Sequence, residues 1–216
     1  MNADEAYFDV HFMAEDGDIL VWEQLHLSVP GRHNVLNSLA AITIAWKLGV
    51  TEDAVRQGLK GFAGVKRRFT TTGISRGVRV IDDNARNPAQ IAATSSAAHD
   101  VQSGTPGKVV AVIQPSRYSH LRDMLQDYCS SLEDPDVVIV ADINASRELP
   151  IDGINKNTLV DALRHSGHLE ALALPAASDL AALVAERTQP GDLVVYLGAR
   201  VSEMAHALPG QLDNIF

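Results

Sequence analysis

Hydrophobic and polar positions follow two different patterns along this chain. Apolar and aromatic strand formers over Tyr7–Met13 and an apolar run over Ile19–Trp22 lie on either side of the polar cluster 15–18, and Leu25, Leu27 and Val29 then alternate with polar residues; this pattern is typical of strands joined by a turn. Further along, short apolar runs lie between segments with the period of a helix. These runs are Val109–Ile113, Val137–Val140, Leu172–Leu174 and Leu193–Leu197. Continuous apolar strands between helices predict a mostly parallel sheet that is covered on both faces, and hence an α/β fold.

The ends of the predicted helices carry recognisable signals. Asn34–Leu48 is predicted to be a helix with apolar residues on most of its surface, and Gly49 is placed to cap its C-terminus. Thr51 is predicted to be the N-cap of a second helix that ends near Gly61. The remaining predicted helices are Pro88–His99, His120–Leu132, Asn157–Arg164 and Ser178–Arg187.

The pattern changes near Arg68, where the strands Phe69–Ile74 and Val78–Ile81 begin a new series of elements. We therefore predict a domain boundary here, with one domain over 1–67 and a second over 68–216. The second domain contains all the apolar runs of the predicted parallel sheet.

Composition and charge narrow the class of protein. A formal net charge of −9 argues against a nonspecific nucleic-acid binder, because phosphate binding requires clustered Lys and Arg. No apolar run approaches the roughly 20 residues that span a bilayer, and the polar start is unlike a signal peptide. With a single cysteine, Cys129, no internal disulfide can form, which fits a reducing compartment. We expect a cytoplasmic protein with neither nucleic-acid nor membrane partners.

Amides and cations form the first two candidate site clusters. Asn34 and Asn37 lie three residues apart on one face at the start of a predicted helix, where carboxamides suit the edge of an adenine ring. Alternatively, Asn34 simply caps the helix. Arg67 and Arg68 are suited to phosphate or ribose, or they form a solvated hinge, a reading that fits Arg67 better.

The other candidates follow predicted strands, where ligands of parallel sheets bind. Asp82 and Asp83 are suited to ribose hydroxyls or to water-mediated Mg²⁺ binding, or one of them forms a turn or caps the helix at Pro88. Arg117 is placed to bind an anion, or it merely starts a solvent-exposed helix. Glu148 lies in a polar loop and is compatible with turn chemistry alone.

Several common motifs are missing from these residues. There is no G-x-x-x-x-G-K-[ST] phosphate loop, no G-x-G-x-x-G and no G-x-S-x-G. His165 and His168 lie three apart, but Gly167 separates them and no third ligand lies nearby, so we predict no metal site.

The clusters occur in an order that resembles the Mur ligases. The matching segments are GRHNVLNSLAA, GVKRRF, VIDDNARNP, QPSRYSHLRD, DINASRELPIDG and PGDLVVYLGA. The resemblance runs from about Leu25 to the C-terminus, and its QPxRY and D-x-x-A-x-x-E-x-P-I-x-G segments point to the alanine-adding member. It implies three domains, of which this chain covers the tail of the central ATP-binding domain, without its phosphate loop, and the whole Rossmann-like last domain.

The resemblance also implies an activity. Mur ligases phosphorylate a carboxylate with ATP and Mg²⁺, and an amino acid then attacks the acyl phosphate. The implied substrates are UDP-N-acetylmuramate and an amino acid, in peptidoglycan precursor synthesis. We expect this chain alone to bind ATP weakly and to be inactive, because it lacks the phosphate loop.

Carried over residue by residue, the resemblance assigns two sets of site residues. Asn34, Asn37, Arg68 and Asp83 would face ATP as one surface split across two domains. The residues Arg117, His120 and Arg86 would face the substrate and amino acid.

The chain also departs from the family at the amino-acid end. The family has D-D-Y-[AG]-H-H-P and QPHRYTR, whereas this chain has DDNARNP and QPSRYSH. A divergent or inactive Mur-ligase-like module for nucleotide binding or protein interaction is therefore the alternative reading.

Overall fold

The structure is a computed structural model that describes residues 5–13, 17–168, 170–199 and 201–215. The chain divides into two compact units, Met1–Gly64 and Val65–Phe216. The domain boundary at 67/68 stays a prediction.

The first unit is a β-hairpin with two helices. Its elements are β1 (Ala6–Met13), β2 (Ile19–Leu27), α1 (Arg32–Lys47) and α2 (Glu52–Lys60). β1 and β2 pair antiparallel, with a register shift between Phe8 and Val10. Part of the predicted turn, 15–16, lies outside the described residues. The two apolar segments predicted between Ile19 and Val29 form one strand, which passes through a left-handed residue at Gln24.

Both predicted end signals of the first two helices are confirmed. Gly49 has φ 74° and its N–H donates to the carbonyl of Trp46, while Val50 N–H reaches the carbonyl of Ala45. This is a Schellman ending, which requires the left-handed conformation that glycine adopts without strain. The side chain of Thr51 accepts from Ala54 N–H and caps α2, and Gly61 ends that helix.

The apolar residues that cover most of the surface of α1 are largely left unburied. Ile42 is the one buried residue of this helix, whereas Leu36 is 52% exposed and Ile44 is 62% exposed. The apolar surface of α1 is therefore wider than its packing against the hairpin uses. The core of this unit consists of Val10, Phe12, Trp22, Leu25, Ile42 and Val55.

The second unit is built on a mixed six-stranded sheet in the order β3-β4-β8-β5-β6-β7. Its strands are β3 (Thr70–Ser75), β4 (Val78–Asp83), β5 (Val109–Ile113), β6 (Val137–Val140), β7 (Ala171–Ala173) and β8 (Leu193–Leu197). β3 pairs antiparallel with β4 at the edge, and all other pairs are parallel. The predicted α/β fold with a mostly parallel sheet is confirmed.

Helices cover both faces of this sheet. They are α3 (Pro88–Gln102), α4 (Tyr118–Asp123), α5 (Leu125–Ser131), α6 (Lys156–His165), α7 (Leu180–Arg187, after a 3₁₀ turn at Ala177–Asp179) and α8 (Ser202–Ile215). One buried cluster includes residues of α3 to α6, and a second includes residues of α7 and α8. Side chains alternate along β5, where Ala111 joins the first cluster and Val110 and Val112 join the second.

Two helical features differ from the sequence prediction. The single helix predicted over His120–Leu132 is broken at Met124, which has φ −122° and separates α4 from α5. α8 lies beyond the last element that the pattern predicts, and it contains Pro209 within the helix. Among the described residues, no helix combines the length and the apolar character needed to cross a bilayer.

Candidate functional site

The segment that precedes β3 is tied to the carboxyl end of β4. Arg67 has φ 61° and Phe69 has φ 49°, conformations that non-glycine residues seldom adopt. Phe69 N–H donates to Asp83 Oδ2 at 2.8 Å, and Asn84 N–H donates to the Arg67 carbonyl at 3.0 Å. Bonds on both sides therefore hold this strained backbone in place.

Asp82 is the centre of a buried polar cluster at the same place. Its Oδ2 accepts from Arg67 Nε at 3.2 Å and from Ser202 Oγ at 2.6 Å, and the residue is fully buried. Arg67 Nη2 also donates to the carbonyl of Gly198, directly after β8, at 2.7 Å. One carboxylate thus joins the segment before β3, the end of β4 and the start of α8.

Asp83 is buried as well, at 2% exposure, and its environment is made of backbone. Burial raises the pKa of Asp83 above its ordinary value, while the N–H groups of Phe69 and Ala85 and the charge of Arg68 act in the opposite direction. Neither aspartate caps α3, because Asn87 does so by accepting from Gln90 N–H at 3.0 Å. The alternative that one of the two aspartates caps α3 is therefore wrong.

The two adjacent arginines have opposite environments. Arg67 is half-buried in the cluster just described, whereas Arg68 is exposed and its side chain makes no hydrogen bond with any residue that the structure describes. The alternative that Arg67 is the solvated member of the pair is wrong. Arg68 is the cation that is available to a ligand.

The two candidate asparagines, Asn34 and Asn37, lie in the first turns of α1. The helix is capped by Gly31, at φ 94°, and Asn34 Nδ2 donates to the carbonyl of Pro30 at 2.7 Å. The alternative that Asn34 is the N-cap is therefore wrong. Asn37 is exposed, so its amide is accessible on the same face of the helix.

The loops after β5 and β6 are bound to each other. Ser116 and Asn144 form an isolated parallel bridge, and Arg117 N–H donates to the Asn144 carbonyl at 2.9 Å. Glu148 accepts from Ser119 Oγ at 2.6 Å and from Ser119 N–H at 3.0 Å. The carboxylate of Glu148 therefore makes a specific bond between loops, beyond local turn chemistry.

Charge reinforces this connection. Hydrogen bonds from Ser119 hold the pKa of Glu148 below its ordinary value, and the charges of Arg117 and His120 lower it further. Two of the predicted substrate residues, Arg117 and His120, thus lie close enough to one carboxylate to act on it. Arg117 has a left-handed backbone at φ 67° and an exposed side chain.

The third predicted substrate residue, Arg86, lies on the loop after β4. Its Nε donates to Asn84 Oδ1 at 3.1 Å, and its carbonyl accepts from Tyr128 Oη at 3.3 Å. The side chain is exposed. Among the residues that the structure describes, no contact joins Arg86 to the cluster around Glu148, so its part in one substrate site stays a prediction.

A cavity of about 530 Å³ lies at the carboxyl ends of β5 and β6. Lys156 Nζ forms an ion pair with Asp142 at 3.0 Å at its edge. The cavity is lined by Gln114, Asp142, Ile143, Asn144, Ala145, Ser146 and Arg147. Three of these lining residues, Asn144, Ser146 and Arg147, are not among the site residues predicted from the sequence. The polar run that follows a buried strand is the sequence feature that could have indicated them.

The described residues contain no group of three or more His, Cys, Asp or Glu side chains that could hold a metal ion.

The mostly parallel sheet, its antiparallel edge strand and the helices on both faces define an α/β domain of the class whose ligands bind at the carboxyl ends of the strands. Residues 67–200, more than half of the chain, match the family described as "Mur ligase, glutamate ligase domain". The chain belongs to the Mur ligase family, which confirms the resemblance.

Curated relatives are similar over the whole chain. It is 50% identical over 216 residues to the UDP-N-acetylmuramate–L-alanine ligase of Phenylobacterium zucineum, covering 100% of this chain and 45% of that protein. It is 47% identical to the ligase of the same name from Caulobacter sp. strain K31, and the match covers 100% of this chain and 45% of that protein. The chain therefore spans less than half the length of these relatives.

Solved structures support the fold. The UDP-N-acetylmuramate-alanine ligase of Thermotoga maritima matches with a TM-score of 0.74 at 24% identity, over 92% of this chain and 43% of that one. A murein peptide ligase of Psychrobacter arcticus matches with a TM-score of 0.66 at 23% identity, over 100% of this chain and 43% of that one.

Proposed function

We propose that this chain is the C-terminal portion of an ATP-dependent, ADP-forming ligase that joins L-alanine to UDP-N-acetylmuramate during peptidoglycan precursor synthesis in the cytoplasm. The observation that carries the proposal is 50% identity over all 216 residues to a ligase of that name. In this proposal, residues 1–67 end the central ATP-binding domain and residues 68–216 form the last domain.

The environment of the candidate residues fits ATP in part. Arg68 is exposed and free of side-chain hydrogen bonds to described residues, so its guanidinium can meet a phosphate. The amide of Asn37 is likewise accessible to an adenine edge. Asp83 would need local rearrangement to reach a ribose, because it is buried and already accepts from Phe69 N–H.

The described residues of this chain do not form a site for Mg²⁺. Both aspartates at the end of β4 are buried, and Asp82 Oδ2 already accepts from Arg67 and Ser202. The metal that accompanies ATP in this proposal would therefore need ligands from elsewhere in the ligase.

At the other end of the reaction, the loops after β5 and β6 would hold the amino acid. Arg117 and His120 supply cationic and hydrogen-bonding groups beside Glu148, whose bonds to Ser119 fix the two loops relative to each other. Their role would be to orient the incoming amine toward an acyl phosphate.

A chimeric ligase tests the proposal. The portion of the Phenylobacterium relative that matches this chain is replaced by these 216 residues, and phosphate release is measured with ATP, UDP-N-acetylmuramate and L-alanine. We expect activity that requires all three substrates, and none from the 216-residue chain alone. Absence of phosphate release with every amino acid tested, in a chimera that folds, would contradict the proposal.

A second candidate function rests on the segment DDNARNP, which lacks the aromatic residue and the histidines of the related motif. In this alternative, the chain is a noncatalytic nucleotide-binding or interaction module. A folded but inactive chimera, together with ATP binding by the 216-residue chain on its own, would favour it. The amino-acid sequence upstream of Met1 gives an independent check, since a phosphate loop there favours the ligase.

A further inference from the structure

The cavity after β5 and β6 contains an arginine in an unusual backbone conformation. Arg147 has φ 80° and its neighbour Ser146 has φ 46°, so two consecutive non-glycine residues are left-handed. Side chains with a Cβ disfavour this region, and residues kept in it cluster at ligand sites. The strain calls for a reason why an arginine occupies a position suited to glycine.

Bonds on both sides prevent the loop from relaxing. Ser146 N–H donates to Asn144 Oδ1 at 3.3 Å, and Asn144 is itself bonded to the loop after β5. On the other side, Glu148 accepts two hydrogen bonds from Ser119. Arg147 is therefore held between two anchored residues, at the wall of the cavity.

The charge balance of the cavity leaves this guanidinium unneutralised. Arg147 is exposed and makes no hydrogen bond or ion pair with any residue in the described part of the chain. The carboxylate that also lines the cavity, Asp142, is already paired with Lys156 at 3.0 Å. The net unpaired charge at the cavity wall is thus positive, which favours an anionic group.

We propose that Arg147 is a substrate-binding residue that binds the carboxylate of the incoming amino acid. Its planar guanidinium can donate two parallel hydrogen bonds to a carboxylate. The cavity, at about 530 Å³, lies within the usual range for small-molecule sites. The amides of Gln114 and Asn144 line the same wall and are held in place by hydrogen bonds, from Gln114 Nε2 to the Asp142 carbonyl at 3.2 Å and from Ser146 N–H to Asn144 Oδ1 at 3.3 Å. This inference rests on the proposed function and adds a residue to its amino-acid site.

Glycine is the informative substitution. Arg147→Gly removes the guanidinium and suits the backbone at φ 80°, so the variant should fold at least as well as the unsubstituted chain. The matched control is Arg76→Gly. Arg76 is also an arginine with a left-handed backbone, at φ 52°, but it lies in the turn before β4, at the opposite edge of the sheet.

The first measurement is direct binding. The isotope-labelled 216-residue chain is titrated with L-alanine, and with L-alaninamide, which lacks the carboxylate, while amide NMR signals of residues 116–120 and 144–148 are followed. We expect L-alanine to shift these signals and L-alaninamide not to. Arg147→Gly should weaken L-alanine binding at least about tenfold, whereas Arg76→Gly should leave it unchanged. Equal binding by the Arg147→Gly variant, equal shifts with the amide, or no shift in the unsubstituted chain would overturn the inference.

The second measurement separates this inference from the proposed function. In the chimeric ligase, Arg147→Gly should raise KM for L-alanine about tenfold or more and leave KM for ATP within about twofold. An active chimera whose KM for L-alanine does not change on this substitution overturns the role of Arg147 alone. An inactive chimera, together with carboxylate-dependent and Arg147-dependent shifts in the chain, overturns the ligase proposal and supports the carboxylate site.

Discussion

At the scale of single residues, two consecutive aspartates at the end of β4 do different work. Asp82 holds the side chains of Arg67 and Ser202, whereas Asp83 holds the backbone N–H of Phe69. Both therefore stabilise the strained segment from which Arg68 projects. Each aspartate therefore helps to orient Arg68 through the backbone of this segment, a role that needs no contact with a nucleotide.

Removing the carboxylate of Asp82 should be costly. Asp82→Ala leaves the Arg67 guanidinium and the Ser202 hydroxyl without their shared acceptor, and losing one partner of a buried pair costs about 3 kcal/mol. Urea unfolding of the chain measures this loss. Asp123→Asn is the control, because Asp123 pairs with Arg122 on the surface and should change stability by less than about 0.5 kcal/mol. Similar losses in both variants would contradict the importance of the buried cluster.

Glu148 should make stability depend on pH. Its pKa in the folded chain lies below the ordinary 4.5, chiefly because of the hydrogen bonds from Ser119. The ionised carboxylate of Glu148 therefore adds to the free energy of unfolding above about pH 4.5. This stabilisation is lost as the pH falls through the lower pKa that Glu148 has in the folded chain. The difference in Tm between the unsubstituted chain and Glu148→Gln should be largest near neutral pH and should shrink in acid.

The exposed Glu133, which has no hydrogen bond to described residues, provides the control for that experiment. Glu133→Gln should leave Tm close to that of the unsubstituted chain at each pH. A Tm difference for Glu148→Gln that stays constant down to pH 3 would show that its carboxylate does not support the fold by this route.

At the scale of elements, α8 packs so closely on the edge strand β3 that Gly73 has no room for a side chain. A Cβ at Gly73 would lie 2.9 Å from Pro209 Cγ, and the register of β3 against β4 shifts next to Gly73. The proline within α8 therefore contacts a strand that lacks a side chain at that point.

Gly73→Ala should accordingly destabilise the chain by about 1–3 kcal/mol through overpacking against a rigid ring. Gly210→Ala, one residue after that proline and facing open space, should instead stabilise α8 by about 0.5–1 kcal/mol. Thermal unfolding of the two single variants gives the comparison. A neutral Gly73→Ala variant would mean that α8 can move away from β3 at little cost.

The predictable elements are those with strong local patterns. The strands β5, β6 and β8 match their predicted bounds because each is a continuous apolar run in the core. The pair Pro209–Gly210 interrupts the local signal for α8, and packing on β3 and β4 outweighs that interruption. The break at Met124 has no equivalent signal in the sequence.

The candidate site was predictable in position but not in detail. Polar residues after apolar strands located the loops, because parallel strands share one carboxyl edge. The sequence could not distinguish Arg67 from Arg68, since the left-handed backbone of Arg67 sets which side chain turns inward. It also could not show that Arg147 lines the cavity, because that depends on the bonds between two loops.

At the scale of the whole molecule, the first unit exposes more apolar surface than its own small core uses. Leu36, Ile44 and Leu48 of α1 and its ending are 52%, 62% and 77% exposed. The curated relatives extend well beyond the length of this chain, which covers 45% of them. We therefore expect the remaining part of the central domain, in a full-length ligase, to cover this face of α1.

Substitutions on that face should consequently reduce stability and activity mainly in the longer protein. Leu36→Ser with Ile44→Ser should change the stability of the 216-residue chain by only about 1 kcal/mol, since both side chains are more than half exposed. In the chimeric ligase, the same pair should lower Tm and activity, because two anchors of a buried face are lost. Ile42→Ala, at a position 1% exposed, should destabilise the chain itself by about 2–5 kcal/mol. A chimera that tolerates the double serine variant would place this face of α1 in solvent in the ligase as well, and the apolar residues would then require a different partner.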